Sequence, residues 1–152
     1  MSILRNILGL DAKRASTSVN ADNVYSKLTY DQKLAALNLM MAFGGSCSDS
    51  AEKINKINHI MASEAQMMGV SSTEFHSATS RFSEMKDMSD ALKDANREAL
   101  AKLFWAFYCI IATGKNIQAV HVLLIIYKDY GFSEQDCLSI LENRTGKKIN
   151  RL

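Results

Sequence analysis

Residues 29 to 54 read TYDQKLAALNLMMAFGGSCSDSAEKI, and how this stretch is parsed decides the fold. Thr29 with Gln32 has the spacing of a capping box, in which each side chain satisfies the other residue's backbone N–H at a helix start. From there Tyr30, Leu34, Leu37 and Met41 recur at the period of one helical face. Gly44 and Gly45 are expected to stop that helix, and Ser48 or Ser50 to cap the next. Asp49 and Glu52 then fall in a first turn, where the helix dipole favours acids. The loop between reads as a hinge. It lacks the GxxxxGK(S/T) frame after a strand that cradles phosphate, and it has too few acids for a hard cation.

The same grammar continues outward. Ile54, Ile57, Met61, Ala65 and Met68 form the expected inner stripe of the second helix, which Gly69 ends, with Glu52, Lys56, His59 and Ser63 on its polar side. Ser71 with Glu74 opens a third helix carrying Phe75, Ala78, Phe82 and Met85 in register, and KDMSD is the expected break after it. A fourth, long helix is expected to start at Ser89 or Asp90 and to run through Leu92, Ala95, Ala99, Leu103, Ala106 and Ile110 to Gly114. Its C-terminal half is apolar nearly all round, which places it centrally among its neighbours. A fifth helix, also apolar on most sides, spans Ile117 to Tyr130. Ser133 with Asp136 opens a sixth, which carries Leu138 and Leu141 and ends before Gly146.

Composition agrees with an all-helical domain. At 152 residues the chain suits one domain burying roughly 70 per cent of its unfolded surface. Apolar residues make up 47 per cent, and there is no proline to interrupt a helix. A net charge of +2 with both signs interspersed provides no strong field for nucleic acid. The organisation read from the pattern is an amphipathic arm and polar linker over 1–27, a helical domain over 28–145 and a basic tail over 146–152 containing Lys147, Lys148 and Arg151, with Arg144 just before it. In the arm, Ile3, Leu4, Ile7 and Leu8 share a face that is expected to dock on the domain or across a dimer; a sticky arm for a partner or a weak membrane contact is the alternative. The arm does not have the form of a signal peptide, and the longest apolar run, LFWAFYCIIA, has half the length of a membrane span, so a cytoplasmic protein is expected.

Residues with chemistry in them are few. Cys47, Cys109 and Cys137 are odd in number and far apart, which argues against a disulfide framework and a zinc knuckle. Cys109 reads as an inert buried thiol, and Cys47 is the one whose loop position could lower its pKa. His59 and His76 fall on polar faces. His121 lies in the apolar fifth helix and reads as a partly buried, hydrogen-bonded histidine, with a ligand or base role as the alternative. Phe104, Trp105, Phe107 and Tyr108 surround one helix; any of them left facing solvent would mark a contact patch.

The chain's two halves share a plan. An apolar helix ends in glycine, a second helix runs to Gly69 or Gly131, and a restart follows, GVSSTEF in the first half and GFSEQDC in the second, offset by 62 residues. The glycine-to-glycine spacings of 24 and 17 differ, which indicates a diverged duplication with pseudo-two-fold character rather than a solenoid. This doubled pattern over Leu28 to Asn143 resembles the TerB-like (tellurite-resistance B) helical domain family. The resemblance implies a bundle of about seven helices, in the cytoplasm or at the inner face of a bacterial membrane, in tellurite-resistance and stress systems. Many members carry an Asp-Gly turn whose acids are proposed metal ligands. Here Phe43 or Gly44 and Thr113 stand where that Asp would be, leaving Asp49 and Glu52 as the residues through which a divalent cation could be held. The function this implies is a non-enzymatic interaction module with a protein partner or a second copy of itself, and Trp105 and His121 are its candidate contact residues besides the arm. The alternative is a divalent-cation binder; an enzyme is weakest, since no nucleophile has a visible base.

Overall fold

The computed structural model describes residues 23–45, 50–78, 82 and 84–146. Among them every regular element is helical: a 3₁₀ turn at Val24–Lys27, then α1 (Tyr30–Gly45), α2 (Ala51–Met68), α3 (Ser72–Ala78), α4 (Met85–Ala91), α5 (Arg97–Gly114), α6 (Ile117–Asp129) and α7 (Glu134–Thr145). The chain is an all-α bundle. The arm residues Ile3, Leu4, Ile7 and Leu8, together with Cys47, Ser48 and Asp49 and the tail from Lys147, lie outside the described residues.

The starts of α1, α2, α3 and α7 follow the sequence signals. Gln32 N donates to Thr29 Oγ1 at 3.1 Å, and Thr29 N donates to Gln32 Oε1 at 3.0 Å. Ser71 and Glu74 exchange the same pair of bonds, both at 3.1 Å, and Ser133 and Asp136 do so at 2.9 and 3.0 Å. Ser50 caps α2 by accepting from Lys53 N at 3.2 Å. Each restart also repeats a glycine in the left-handed region, Gly69 at φ 75° and Gly131 at φ 93°, where only a residue without Cβ is unstrained. The apolar residue that follows is buried in both halves: Val70 donates back to Ala65 O at 3.0 Å, and Phe132 to Tyr127 O at 2.9 Å. The likeness is local. α2 packs against α1 and α5, whereas α6 packs against α5 and α7.

Two helices form the centre. α5 touches α1, α2, α6, α7 and the 3₁₀ turn, and α1 touches α2, α3, α4 and α5. The expected one-sided stripe on α1 is therefore wrong: Leu34 to Met40 are buried without a break, while Tyr30 and Met41 at the ends of that stripe are exposed. Asn38, the one buried polar side chain of the described core, donates to Leu34 O at 2.8 Å and so meets the demand that buried polar groups be bonded. α1 is described to Gly45, so the glycine pair stands at its end as expected, with Gly44 inside the last turn. A Cβ at Gly44 would come 2.9 Å from Ile57 Cγ2, so glycine is required by the close approach of α2. On α2, Ile54 is exposed, and the inner face consists of Ile57, Ala62, Ala65 and Met68.

The middle of the chain departs most from expectation. The third helix ends at Ala78 instead of continuing to Met85, and the stretch KDMSD, expected as a break, lies inside α4. Met88 and Leu92 point into the core, and α4 packs on α1, so burial of this spacing overrides the polar residues that suggested a loop. The long central helix starts at Arg97, not at Ser89 or Asp90, because Asn96 supplies the cap: its Oδ1 accepts from Ala99 N at 3.1 Å. Leu92 and Ala95 belong to the turn before it.

Tyr127 of α6 is the centre of an aromatic cluster. Its ring meets Phe104 at 5.0 Å, Tyr130 at 5.1 Å and Phe132 at 5.2 Å, all edge to face, and its hydroxyl donates to Leu100 O at 2.6 Å. Burial raises the Tyr127 pKa far above the usual phenol range, so the hydroxyl remains a donor. Phe107 extends the cluster to Phe43 of α1 at 5.7 Å.

Candidate functional site

The outer face of α5 carries two concave features at its ends. Lys102, Trp105, Tyr108 and Ala112 follow one another along this face, and none of the four is buried. Lys102 and Ala112 are about 15 Å apart along the helix at 1.5 Å per residue. Trp105 and Tyr108 stack between them with centroids 6.5 Å apart, while Phe104 and Phe107 turn inward. Of the four aromatics, then, two are core and two form a half-exposed patch.

The first feature is an apolar cleft of about 280 Å³ between the C-terminal end of α5 and the start of α6. Tyr108, Ile111 and Ala112 form one wall, and Ile117, Val120 and Leu124 the other. Ile117, which lines it, is 74 % exposed, and beyond it on the same helix Ile125 is 70 % and Val122 39 % exposed. His121 sits among them on the exposed side; the expectation of a partly buried, hydrogen-bonded histidine is corrected, because only Ala119, Leu123 and Tyr127 of this helix turn inward. Ile117, His121 and Ile125 are four residues apart and line one face of α6. The α5–α6 turn bears Lys115 at φ 57°, the one left-handed non-glycine among the described residues, and it lines this cleft. A side chain in that region costs about 1 to 2 kcal/mol. The turn is held there because Asn116 caps α6, accepting from Ala119 N at 3.2 Å.

The second feature lies at the other end, where the 3₁₀ turn, α2, α5 and α7 converge. Tyr25, in the stretch expected to be linker, is fully buried, and its hydroxyl donates to Glu64 Oε1. Burial, and then the neighbouring Glu64 charge, raise the Tyr25 pKa well above the phenol range. Burial likewise raises Glu64 above the usual carboxylate range, while the Tyr25 bond and the nearby Lys102 and Arg144 cations oppose it. Lys102 Nζ stands 4.6 Å over the Tyr25 ring and 3.2 Å from Met67 Sδ. Asn23 Nδ2 donates to Met67 O at 2.5 Å and ties the turn to α2. Beside this cluster a cleft of about 500 Å³ opens between Val24, Ala101, Lys102, Ile140, Asn143 and Arg144, with Glu98 on its rim. Nothing in the sequence pairs these residues. Val24, Tyr25 and Leu28 do have helical spacing, which was the available signal that the core begins before Leu28.

The remaining candidates are accounted for individually. Glu52 is exposed in the first turn of α2 and pairs with Lys56 at 3.2 Å, while Asp49 lies outside the described residues. Among the described residues no group of three or more His, Cys, Asp and Glu is placed to hold a metal ion. Cys109 is half-buried; burial, and then the Glu64 charge, push its thiol up to about 11, which leaves it a thiol at neutral pH. Cys137 is buried and likewise raised to about 11, chiefly by desolvation. His59 and His76 are exposed, as their polar faces imply. No described helix is long and apolar enough to cross a membrane. Compared with protein-family models, with curated proteins and with solved structures, the chain matches none of them.

Proposed function

We propose that this protein is a non-enzymatic, protein-binding helical module of the TerB-like kind, and that the α5–α6 face is where it binds. The observation that supports this reading is the trio Ile117, Val122 and Ile125, three large aliphatic side chains left in solvent beside an apolar cleft. Scattered exposed aliphatics are ordinary, but Ile117 and Ile125, two turns apart on one face of α6 with Val122 one turn from Ile125, put an apolar surface on the helix that borders the groove, an arrangement suited to the apolar face of a partner helix. Lys115 and Lys128 flank this surface, so the rim of the partner segment is expected to be acidic. The partner is another protein, with a second copy of this chain as the homotypic case. No observation favours the divalent-cation alternative: among the described residues Glu52 has no further carboxylate, histidine or cysteine ligands grouped with it.

Site-specific photocrosslinking in cells tests the proposal. A benzophenone side chain at position 121, on the proposed face, is compared with one at position 59, on the polar face of α2. Adducts of discrete mass at 121, absent at 59 and lost on adding Ile125→Glu, are the expected result. No adduct at 121, or the same adducts at both positions, would overturn it. Light scattering on the purified chain separates the homotypic case, in which the mass doubles and Ile125→Glu restores the monomer.

A further inference from the structure

The second cleft has a composition that the interaction surface does not explain. Its walls are apolar where Val24, Ala101 and Ile140 contribute, and its polar groups are two cations, Lys102 and the exposed Arg144, the Asn143 amide and the Glu98 carboxylate. Among the described residues neither cation has a carboxylate within ion-pair distance, although five other ion pairs are formed. The dipole at the C-terminal end of α7 favours a cation at Arg144, but it does nothing for Lys102, which is half-buried near the N-terminal half of α5. The two acids nearby are committed. Glu98 on the rim is paired with Lys27 at 3.5 Å, and Glu64 accepts from the Tyr25 hydroxyl. Set against Glu64, Lys102 and Arg144 leave one positive charge facing a cavity of about 500 Å³, within the usual range for a small-molecule site.

We propose that this cleft binds a small organic carboxylate, with its charged group between Lys102 and Arg144 and its apolar body against Val24, Ala101 and Ile140. The guanidinium fork of Arg144 matches a carboxylate, and Lys102 adds a point charge. A single excess positive charge fits a monoanion better than the dianion of a phosphate monoester, which would leave negative charge facing Glu64 and Glu98. Burial and the Arg144 charge both depress the Lys102 pKa, and Glu64 only partly offsets them, so a bound anion would relieve a cost the free site carries. The site is independent of the α5–α6 face, and either proposal stands if the other fails.

Titration of the full chain with hexanoate and with phenylacetate, followed by calorimetry and by the fluorescence of Trp105 one turn from Lys102, tests it. Saturable binding of at least one of the two is expected, with hexanol silent and inorganic phosphate weaker. Arg144→Gln and Lys102→Gln should each weaken binding on the order of tenfold, the loss of one charge-assisted contact, while Lys102→Arg retains it. Melting curves of the variants show that they are folded. Absence of saturable binding by both carboxylates, equal binding by all variants, or tighter binding of phosphate would overturn the assignment.

Discussion

α1 and α6 come from equally apolar stretches, LAALNLM and VHVLLII, yet one is interior and the other is a wall. In α1 every residue from Leu34 to Met40 is buried, because α2, α3, α4 and α5 surround it. In α6 only Ala119, Leu123 and Tyr127 are buried, because α5 and α7 hold it from one side. The lesson is that an all-round apolar helix has two explanations. It is either enclosed by its own fold, or it carries one face for the fold and another for something else.

Substitution in the two helices separates these explanations. The largest effect is expected from Phe43→Ala in α1, where the ring is buried edge-on against Phe107. Urea denaturation should show a loss of about 3 to 5 kcal/mol, as for other buried aromatic truncations. A loss below about 1 kcal/mol would mean that α1 is less enclosed than described.

Gly44→Ala probes the same helix from the opposite direction, by adding volume. The new Cβ would meet Ile57 Cγ2 at 2.9 Å, and the resulting shift of α2 should cost about 1 to 3 kcal/mol despite the better helix propensity of alanine. A more stable variant would show that α2 yields freely at this contact.

On α6, Ile117→Ser and Ile125→Ser remove more apolar surface than Gly44→Ala adds, yet each should change the stability of the isolated monomer by no more than about 0.5 kcal/mol. Loss of stability comparable to Phe43→Ala, measured at low protein concentration, would place these side chains in a core and remove the contrast.

The smallest effect concerns the wet end of α1. Tyr30 is exposed, and its hydroxyl donates to Glu74 Oε2 at 2.7 Å. That bond first, and then those from the Ser71 backbone and hydroxyl, lower the Glu74 pKa below the usual carboxylate range. A carboxylate held lower in the folded state stabilises the fold above its unfolded pKa, and the contribution is lost as pH falls through the folded value. Tyr30→Phe should therefore lower stability slightly at neutral pH, where that contribution is fully present, and flatten its loss on acidification below about pH 4.3, so that the two proteins converge at low pH. The corresponding acid of the second half, Asp136, is lowered mainly by the Ser133 backbone and hydroxyl and should titrate unchanged in this variant. An identical acid limb in wild type and Tyr30→Phe would show that the Tyr30–Glu74 bond contributes nothing in solution.

How much of the molecule was legible depended on the range of each interaction. The three capping boxes were read correctly because each joins residues three apart, and the helix class followed from spacing alone. The boundaries around α3, α4 and α5 were misread, since KDMSD is polar in sequence and helical only because Met88 and Leu92 are drawn onto α1. For the candidate sites the limit was sharper. Trp105 and His121 were visible as aromatics in an apolar setting, but which of them faces solvent depends on which helices pack around α5 and α6. Tyr25, Glu64, Lys102 and Arg144 come from four separate elements, and no local pattern announces their meeting.

The sequence by itself determined that the chain is helical, where the three helices opened by capping boxes start, and that the Gly69 and Gly131 restarts share one local geometry, because hydrogen bonds between near neighbours fix these features wherever the segment lies. Only the tertiary structure decided that α1 is enclosed and α6 half bare, that Gly44 also serves a close approach of α2, and that two cations without carboxylate partners border one cleft. Those outcomes depend on which distant surfaces remain uncovered once the others have packed, and burial is a property of the whole arrangement.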